Sequence, residues 1–396
     1  NIPVKCIMQN PFALNEVIIG TELGVWATTN FNAVSPNWAR SNNGMKDVKV
    51  MSFDYRSVDN TILAATYGRG MFTGEFWTCG SSTTIWNGTA WSNGNPDKKK
   101  VAVIDGNYNT TADGSFTCCS LQVNNLRALT ITANNYVTVS GDITVTGTLN
   151  VLNDGSLVQI DDAAINTGNI SYERTTTGTA LDYVYWSSPV DGVNTPSTGF
   201  IFTWDPSFAN PNTGWGYWLY ARNTTMSAGV GYIMQDVFSR TFTGVPRNGV
   251  IQPTVSRANY TGADFPGTNG VTITKFDDNW NLIGNPYPSS ISALDFLTMN
   301  TNIEGAVRLW THDTSPSTAI SDPFYANYVS NYTVNDYITH NGTGTVSGPA
   351  GFNGYIAGGQ SFFVNMLDGS ASTQSITFNN SLRNKEECNV IIFYWT

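Results

Sequence analysis

The chain has 396 residues, 12% charged and 13% aromatic, with 19 Lys plus Arg and a formal net charge of -10. A surface made polar by Asn, Thr, Ser and Gly in place of Lys and Glu is of an exported, β-rich kind. Scarce cations exclude a nucleic-acid partner, since the one basic run, Lys98-Lys99-Lys100, reads as a solvated loop, and no apolar stretch approaches the roughly 20 residues that span a bilayer.

The predicted class is all-β: a propeller-blade-like segment (1–76), a small β-solenoid or sandwich (77–169), two β-sandwich units (170–270 and 271–385) and a tail (386–396). Residues 1–76 carry short β runs at 16–21, 24–29, 48–54 and 61–72, parted by Gly and Asn turns, which make about one propeller blade. The "G-T-x-x-G-V" of residues 20–25 and the "A-T-Y-G-R-G" of residues 65–70 resemble the last blade of a sialidase-like or sortilin-like propeller. That resemblance implies further blades upstream. With no signal peptide or initiator Met before Asn1, the sequence reads as a mature product or a piece of something longer.

In the second segment apolar pairs recur at short intervals: Leu121 and Val123, Leu129 and Ile131, Val137 and Val139, Ile143 and Val145, Leu149 and Val151, Leu157 and Ile160. Alternation within a run turns one face inward, and Asn134-Asn135, Ser140-Gly141-Asp142 and Asn153-Asp154-Gly155 supply turns. Such similar rungs favour a solenoid over a tight sandwich. Cys79 and the pair Cys118-Cys119 bound a turn-rich stretch, which suits a disulfide from Cys79 to Cys118 or to Cys119; reduced cysteines are the alternative. Zinc is disfavoured, because vicinal cysteines on a strand point to opposite faces and only His312 and His340 offer imidazole.

Four landmarks then occur twice in one order. The first pass has residues 183–189, 202–205, 228–235 and 240–248; the second has 280–286, 308–311, 357–365 and 376–384. This predicts a duplicated β unit in which Trp186 and Trp280 are both buried strand residues and Gly231 matches Gly359 as a crowded position. A turn or two of helix is expected only near residues 291–299.

The ordered set "T-x-x-W-N-G-T-A-W-S-N-G", "V-T-V-S-G-D-I-T-V-T-G-T-L-N-V", "L-D-Y-V-Y-W-S-S-P-V", "W-N-L-I-G-N-P-Y-P" and "G-G-Q-S-F-F-V", across residues 78–385, resembles the C-terminal stalk region of large surface proteins that Bacteroidota bacteria export by type IX secretion. The resemblance implies an extracellular or cell-surface location and a partner in that export machinery. It also implies a sorting domain after the stalk, a pattern that residues 384–396 do not display.

For chemistry, no G-x-S-x-G motif is present and neither His has a triad context, so no catalytic residue is assigned and a non-enzyme is expected. Glu16, Glu22, Asp47 and Asp54 read as turn or edge residues in preference to a glycosidase pair. Asp161-Asp162 and Asp277-Asp278 offer oxygens that suit a structural calcium ion, but EF-hand spacing is missing and turn roles are preferred. The run with Trp215, Tyr217, Trp218 and Tyr220 is the candidate ligand surface: alternation puts Trp215 and Tyr217 on one face and Trp218 and Tyr220 on the other, and at most one face is core. Exposed rings beside Asn and Asp suit an extracellular glycan or surface polymer. The expected role is a non-catalytic stalk or adhesin segment; the alternative is the accessory C-terminal region of a secreted propeller-type glycan-degrading enzyme.

Overall fold

The short apolar pairs between residues 121 and 151 each supply one strand to a wall of a three-walled parallel coil. In the computed structural model the described residues are 2–11, 14–41, 45, 47–58, 61–76, 79–80, 82–210, 214–258, 263–266, 272–274, 277–311, 317–320, 333, 336–348, 352–369 and 371–385, with the side chains of 208–210, 214 and 215 left aside. The chain forms two compact units, Asn1–Thr78 and Cys79–Thr396.

The first unit holds two antiparallel meanders. One orders Val4–Gln9, Val17–Thr21, Gly24–Thr28 and Ala39–Arg40; the other orders Val50–Arg56, Thr61–Thr66 and Met71–Glu75. The four runs expected to make one blade therefore divide between two sheets, which share a small core of Val25, Met45, Val48, Val50 and Ala64. Gly20 permits their approach, since a Cβ there would lie 2.8 Å from Val50 Cγ1.

The second unit starts with the solenoid. One wall stacks Ser82–Trp86, Lys100–Ile104, Ser120–Val123, Ile143–Val145 and Asn166–Thr167; a second stacks Tyr108–Asn109, Ala128–Ile131, Thr148–Val151 and Ile170–Thr175; a third stacks Phe116–Cys118, Tyr136–Val139 and Ser156–Gln159, all parallel. Register puts like on like, Ala102 with Leu121 and Ile143, Leu129 with Leu149, Val137 with Leu157, so buried apolar columns run along the coil. Asn134 and Asp154 turn equivalent corners in the left-handed region (φ +63° for each), which their short side chains tolerate. The pairing of Leu157 with Ile160 fails: Gln159 is the inward residue and Ile160 is 54% exposed. Gln159 can face inward because its amide donates to Gly141 O and Asn166 Oδ1. The first turn closes on the rings of Trp86, Trp91, Tyr108 and Phe116.

The parallel stacking ends where Ser239–Gly244 pairs antiparallel with Ile170–Thr175. From here the duplication holds for four strands of each copy's central sheet. The first copy orders its sheet Tyr183–Trp186, Tyr232–Gln235, Ile201–Asn210, Gly214–Tyr220; the second orders Trp280–Gly284, Ser361–Asn365, Val307–Trp310, Tyr337–His340, then Thr345–Ser347. Registers agree: Trp186 opposes Tyr232 as Ile283 opposes Phe362, and Tyr183 opposes Gln235 as Trp280 opposes Asn365. Two expectations are thereby corrected. Trp186 (4% exposed) corresponds to Ile283, and Trp280, at a strand end, is only half-buried. Gly359 (φ +71°) corresponds to Gly229 (φ +72°), each the last residue before a bridge, and Gly231 corresponds to Ser361. The second copy also starts earlier than residue 271, because Thr254–Ser256 pairs with Thr373–Ser375 as Ile170–Thr175 pairs with Ser239–Gly244. Ala293–Met299 is helical, with the Ser292 hydroxyl accepting from Asp295 N.

Candidate functional site

Alternation gives each strand of the duplicated region two destinations. In the first copy Val184, Trp186, Tyr232 and Met234 face the core shared with the solenoid, whereas Tyr185 and Ile233 face the other way. In the second copy Ile283, Phe362 and Val364 enter that copy's own core, and Leu282 and Phe363 turn outward. The outward faces meet. Tyr185, Ile233, Leu282, Trp310 and Phe363 form a buried layer between the copies, joined by half-buried Trp204, Trp218, Trp280 and Tyr337. Tyr185 lies flat on Trp310 (5.7 Å, 10°), its hydroxyl is 2.6 Å from that of Tyr337, and Trp204 Nε1 donates to Trp280 O at 2.8 Å. Burial raises the Tyr185 pKa well above a phenol's, with Tyr337 adding to the effect.

The predicted aromatic run divides along this layer. Trp218 packs into it, 4.8 Å from Trp204 and 6.1 Å from Phe363. Tyr220, on the same face but at its margin, packs tilted against Phe202 (4.6 Å, 37°), lies under the Arg222 guanidinium and keeps 64% exposure. Tyr217 is exposed on the opposite face, and the Trp215 side chain lies outside the described residues.

Beside this run a cleft of about 290 Å³ opens, lined among others by Trp204, Asp205, Leu219, Pro253, Thr254 and Leu282. Trp204 is held by its bond to Trp280 and by Gly216 (φ +81°), against which its ring packs so closely that no Cβ would fit. Asp205 Oδ1 accepts from the backbone N–H and hydroxyl of Ser207, while Oδ2 has no partner among the described residues. Trp204 and Asp205 were legible only as part of a repeated landmark, with nothing to mark them as cleft residues.

Of the cysteines, Cys79 bonds Cys119 with Cα atoms 5.0 Å apart, fixing the start of the second unit to a solenoid corner. Cys118 turns inward as a free thiol, its pKa raised by burial. Glu22 pairs with Lys5 (3.0 Å) and Lys49 (3.6 Å), and the hydrogen bond from Lys5 lowers its pKa. Asp47 pairs with Arg40, Glu16 accepts from Asn10, and Asp54 accepts from Tyr55 N. Asp161 and Asp277 accept local turn hydrogen bonds, and Asp162 accepts from Asn380 N. His312 and the 386–396 tail lie outside the described residues, among which no helix is long and apolar enough to cross a membrane.

A solenoid continued by a duplicated β unit defines the class of this body: an all-β repeat assembly whose polar and aromatic groups converge at the seam between the copies. Residues 76–395 match a family described as a domain of unknown function (DUF8693), and the chain belongs to that family. No curated protein and no solved structure matches it.

Proposed function

We propose that this chain is a non-catalytic stalk and adhesive segment of a larger secreted or cell-surface bacterial protein, exported by a route of the type IX kind, and that it holds extracellular glycan. The reading takes the two copies as sandwich units and the Asn1–Thr78 meanders as propeller-blade material. The observation that carries it is the junction at Arg383. This buried guanidinium donates to Leu157 O at the solenoid's end, to Ser289 Oγ in the second copy and to Asn248 Oδ1 in the segment between copies. Solenoid and duplicated region are thus one continuously hydrogen-bonded body, as a load-bearing segment requires. Tyr217, exposed on the same strand face as the cleft-lining Leu219, supplies the adhesive surface, and Tyr220 offers a second exposed ring on the opposite face.

The test is affinity electrophoresis of the isolated chain through gels containing plant and microbial polysaccharides, with reducing ends assayed alongside. Retardation without new reducing ends supports the proposal. Reducing ends that persist through purification and vanish in Glu22→Ala or Asp54→Ala overturn it.

The second reading, an accessory region of a propeller-type glycan-degrading enzyme, is favoured by apolar residues exposed on the strands of the first unit: Val4, Ile7, Met51 and Met71. Sheets that pack between neighbouring blades carry such faces. Glycan cleavage by the natively isolated parent protein would select it.

A further inference from the structure

The cleft has a counterpart related by the duplication, and the counterpart is filled. By register, Leu282 and Ile283 correspond to Tyr185 and Trp186, and Gly229 and Val230 correspond to Gly359 and Gln360. Pro253 and Thr254 correspond likewise to Arg174 and Thr175, because Ile251 meets Phe378 as Tyr172 meets Phe242. Arg174, Thr175, Tyr185, Trp186, Gly359 and Gln360 enclose a space of only about 10 Å³, whereas their counterparts line the cleft of about 290 Å³.

Side-chain size explains the difference. In the filled copy the Tyr185 ring lies flat on Trp310, which is left 3% exposed, and Arg174 is buried in an ion pair with Asp154. In the open copy Leu282 stands where Tyr185 would, and Pro253 stands where Arg174 would. Trp204, the equivalent of Trp310, therefore lacks the ring that would cover it. The indole is held by Trp280 O and Gly216, so the part of this half-buried ring that lines the cleft is already in place before anything binds. Asp205 follows it with one carboxylate oxygen uncommitted, where the filled copy has Thr311.

We propose that this open cleft is the glycan-binding subsite of the chain and takes a neutral pyranose residue, stacked on Trp204 where Tyr185 stacks on Trp310, with ring hydroxyls donated to Asp205 Oδ2. The proposal rests on the glycan-holding reading above and places it. The C–H face of a sugar ring is the flat, weakly polar surface that replaces a phenol ring on an indole. A cleft at the lower end of the ~300–1,000 Å³ usual for small-molecule sites suits one or two rings of a chain that continues into solvent. The carboxylate selects neutral sugars, since a uronate or sialate would bring a second anion against it.

The test rebuilds the filled copy in the open one. Leu282→Tyr and Asp205→Asn are compared with wild type by affinity electrophoresis in glucomannan, xyloglucan, galactan and mixed-linkage glucan, with polygalacturonate as the acidic comparison and thermal melts as the control. Expected are retardation of wild type by at least one neutral polymer, at least a tenfold loss of affinity in Leu282→Tyr, and at least a threefold loss in Asp205→Asn with an unchanged melt. Asp205 is half-buried and an Asn oxygen can keep its bonds from Ser207, so this second variant carries the test if the first folds poorly. Retardation that both variants retain in full overturns the cleft and leaves glycan binding standing. Tighter retardation by polygalacturonate than by any neutral polymer overturns the sugar class. No retardation of wild type by any polymer overturns this proposal and the glycan-holding reading together.

Discussion

Arg247 and Arg383 occupy the same place in the two copies, five residues after the equivalent buried Phe242 and Phe378, yet they bind different things. Arg247 donates to Ser188 O, Met226 O and Asp191 Oδ1, all within the first copy. Arg383 donates outward to the solenoid and to the segment between copies, and its guanidinium sits 4.9 Å over the Tyr287 ring. Its surroundings are so dry that burial lowers its pKa to about 10. The same position is thus a local clasp in one copy and a junction in the other.

Replacing Arg383 with Met should cost about 1–3 kcal/mol for the buried acceptors it leaves unmatched, Leu157 O among them, offset in part by relief of the buried charge. Denaturant unfolding measures the loss, and hydrogen exchange locates it: amides of Ser156–Gln159 and of Asn380–Leu382 should both exchange faster. Exchange confined to residues 380–384 would show that the junction does not couple solenoid to copy.

The hydroxyls of Tyr185 and Tyr337 form a pair across the seam. Tyr337→Phe should cost about 1–3 kcal/mol by leaving the Tyr185 hydroxyl buried without its partner, and adding Tyr185→Phe should cost little more, since no orphan then remains. Additive losses in this double-mutant cycle would contradict a direct bond between them.

The Cys79–Cys119 bond closes a loop with a sequence separation of 40, and opening it should lower stability by about 3–4 kcal/mol. Melts of wild type with and without reductant, set against Cys119→Ser, measure this. Peptide mapping without reduction should recover Cys79 joined to Cys119 and Cys118 as a free thiol; a Cys79–Cys118 peptide would contradict the corner geometry.

The solenoid was legible because each wall repeats one demand, an apolar pair facing inward with a turn residue at each corner, so Val137-Val139 and Leu157 announce themselves by spacing. The order of the duplicated landmarks was legible for the same reason. Register within them was not. Trp186 resembles Trp280 in type but Ile283 in place, and Gly231 invites a match to Gly359 that the backbone gives to Gly229. Nor could spacing reveal that Trp186 bridges to Gln360 and Ile283 to Val230, each reaching into the other copy. The cleft depends on that exchange, since its walls are drawn from both copies. Trp204 lines the cleft from the strand adjacent to Tyr217, Trp218 and Tyr220, so the spacing of that aromatic run could not reveal it.

His340 gives the second copy a pH dependence of determinate sign. It is buried on the strand Tyr337–His340, its ring edge-on to Phe352, and its Nδ1 accepts the Gly342 N–H at 3.0 Å, so this nitrogen carries no proton. Burial lowers its pKa. The unfolded chain therefore takes up a proton near pH 6.5 while the folded copy still refuses one. The stability that neutral His340 contributes is full above that pH and is lost as pH falls through the unfolded value toward the lower folded one. Asp154 and Asp162, raised mainly by burial, act in the opposite sense, and they do so in the carboxylate range further down. Between pH 7.5 and 5.5 the melting midpoint of wild type should fall more than that of His340→Asn, whose amide oxygen accepts the Gly342 N–H without titrating. His312 is present in both proteins, so the difference between the two slopes belongs to His340. Parallel slopes would mean that the imidazole is solvated and that the bond to Gly342 is not held in solution.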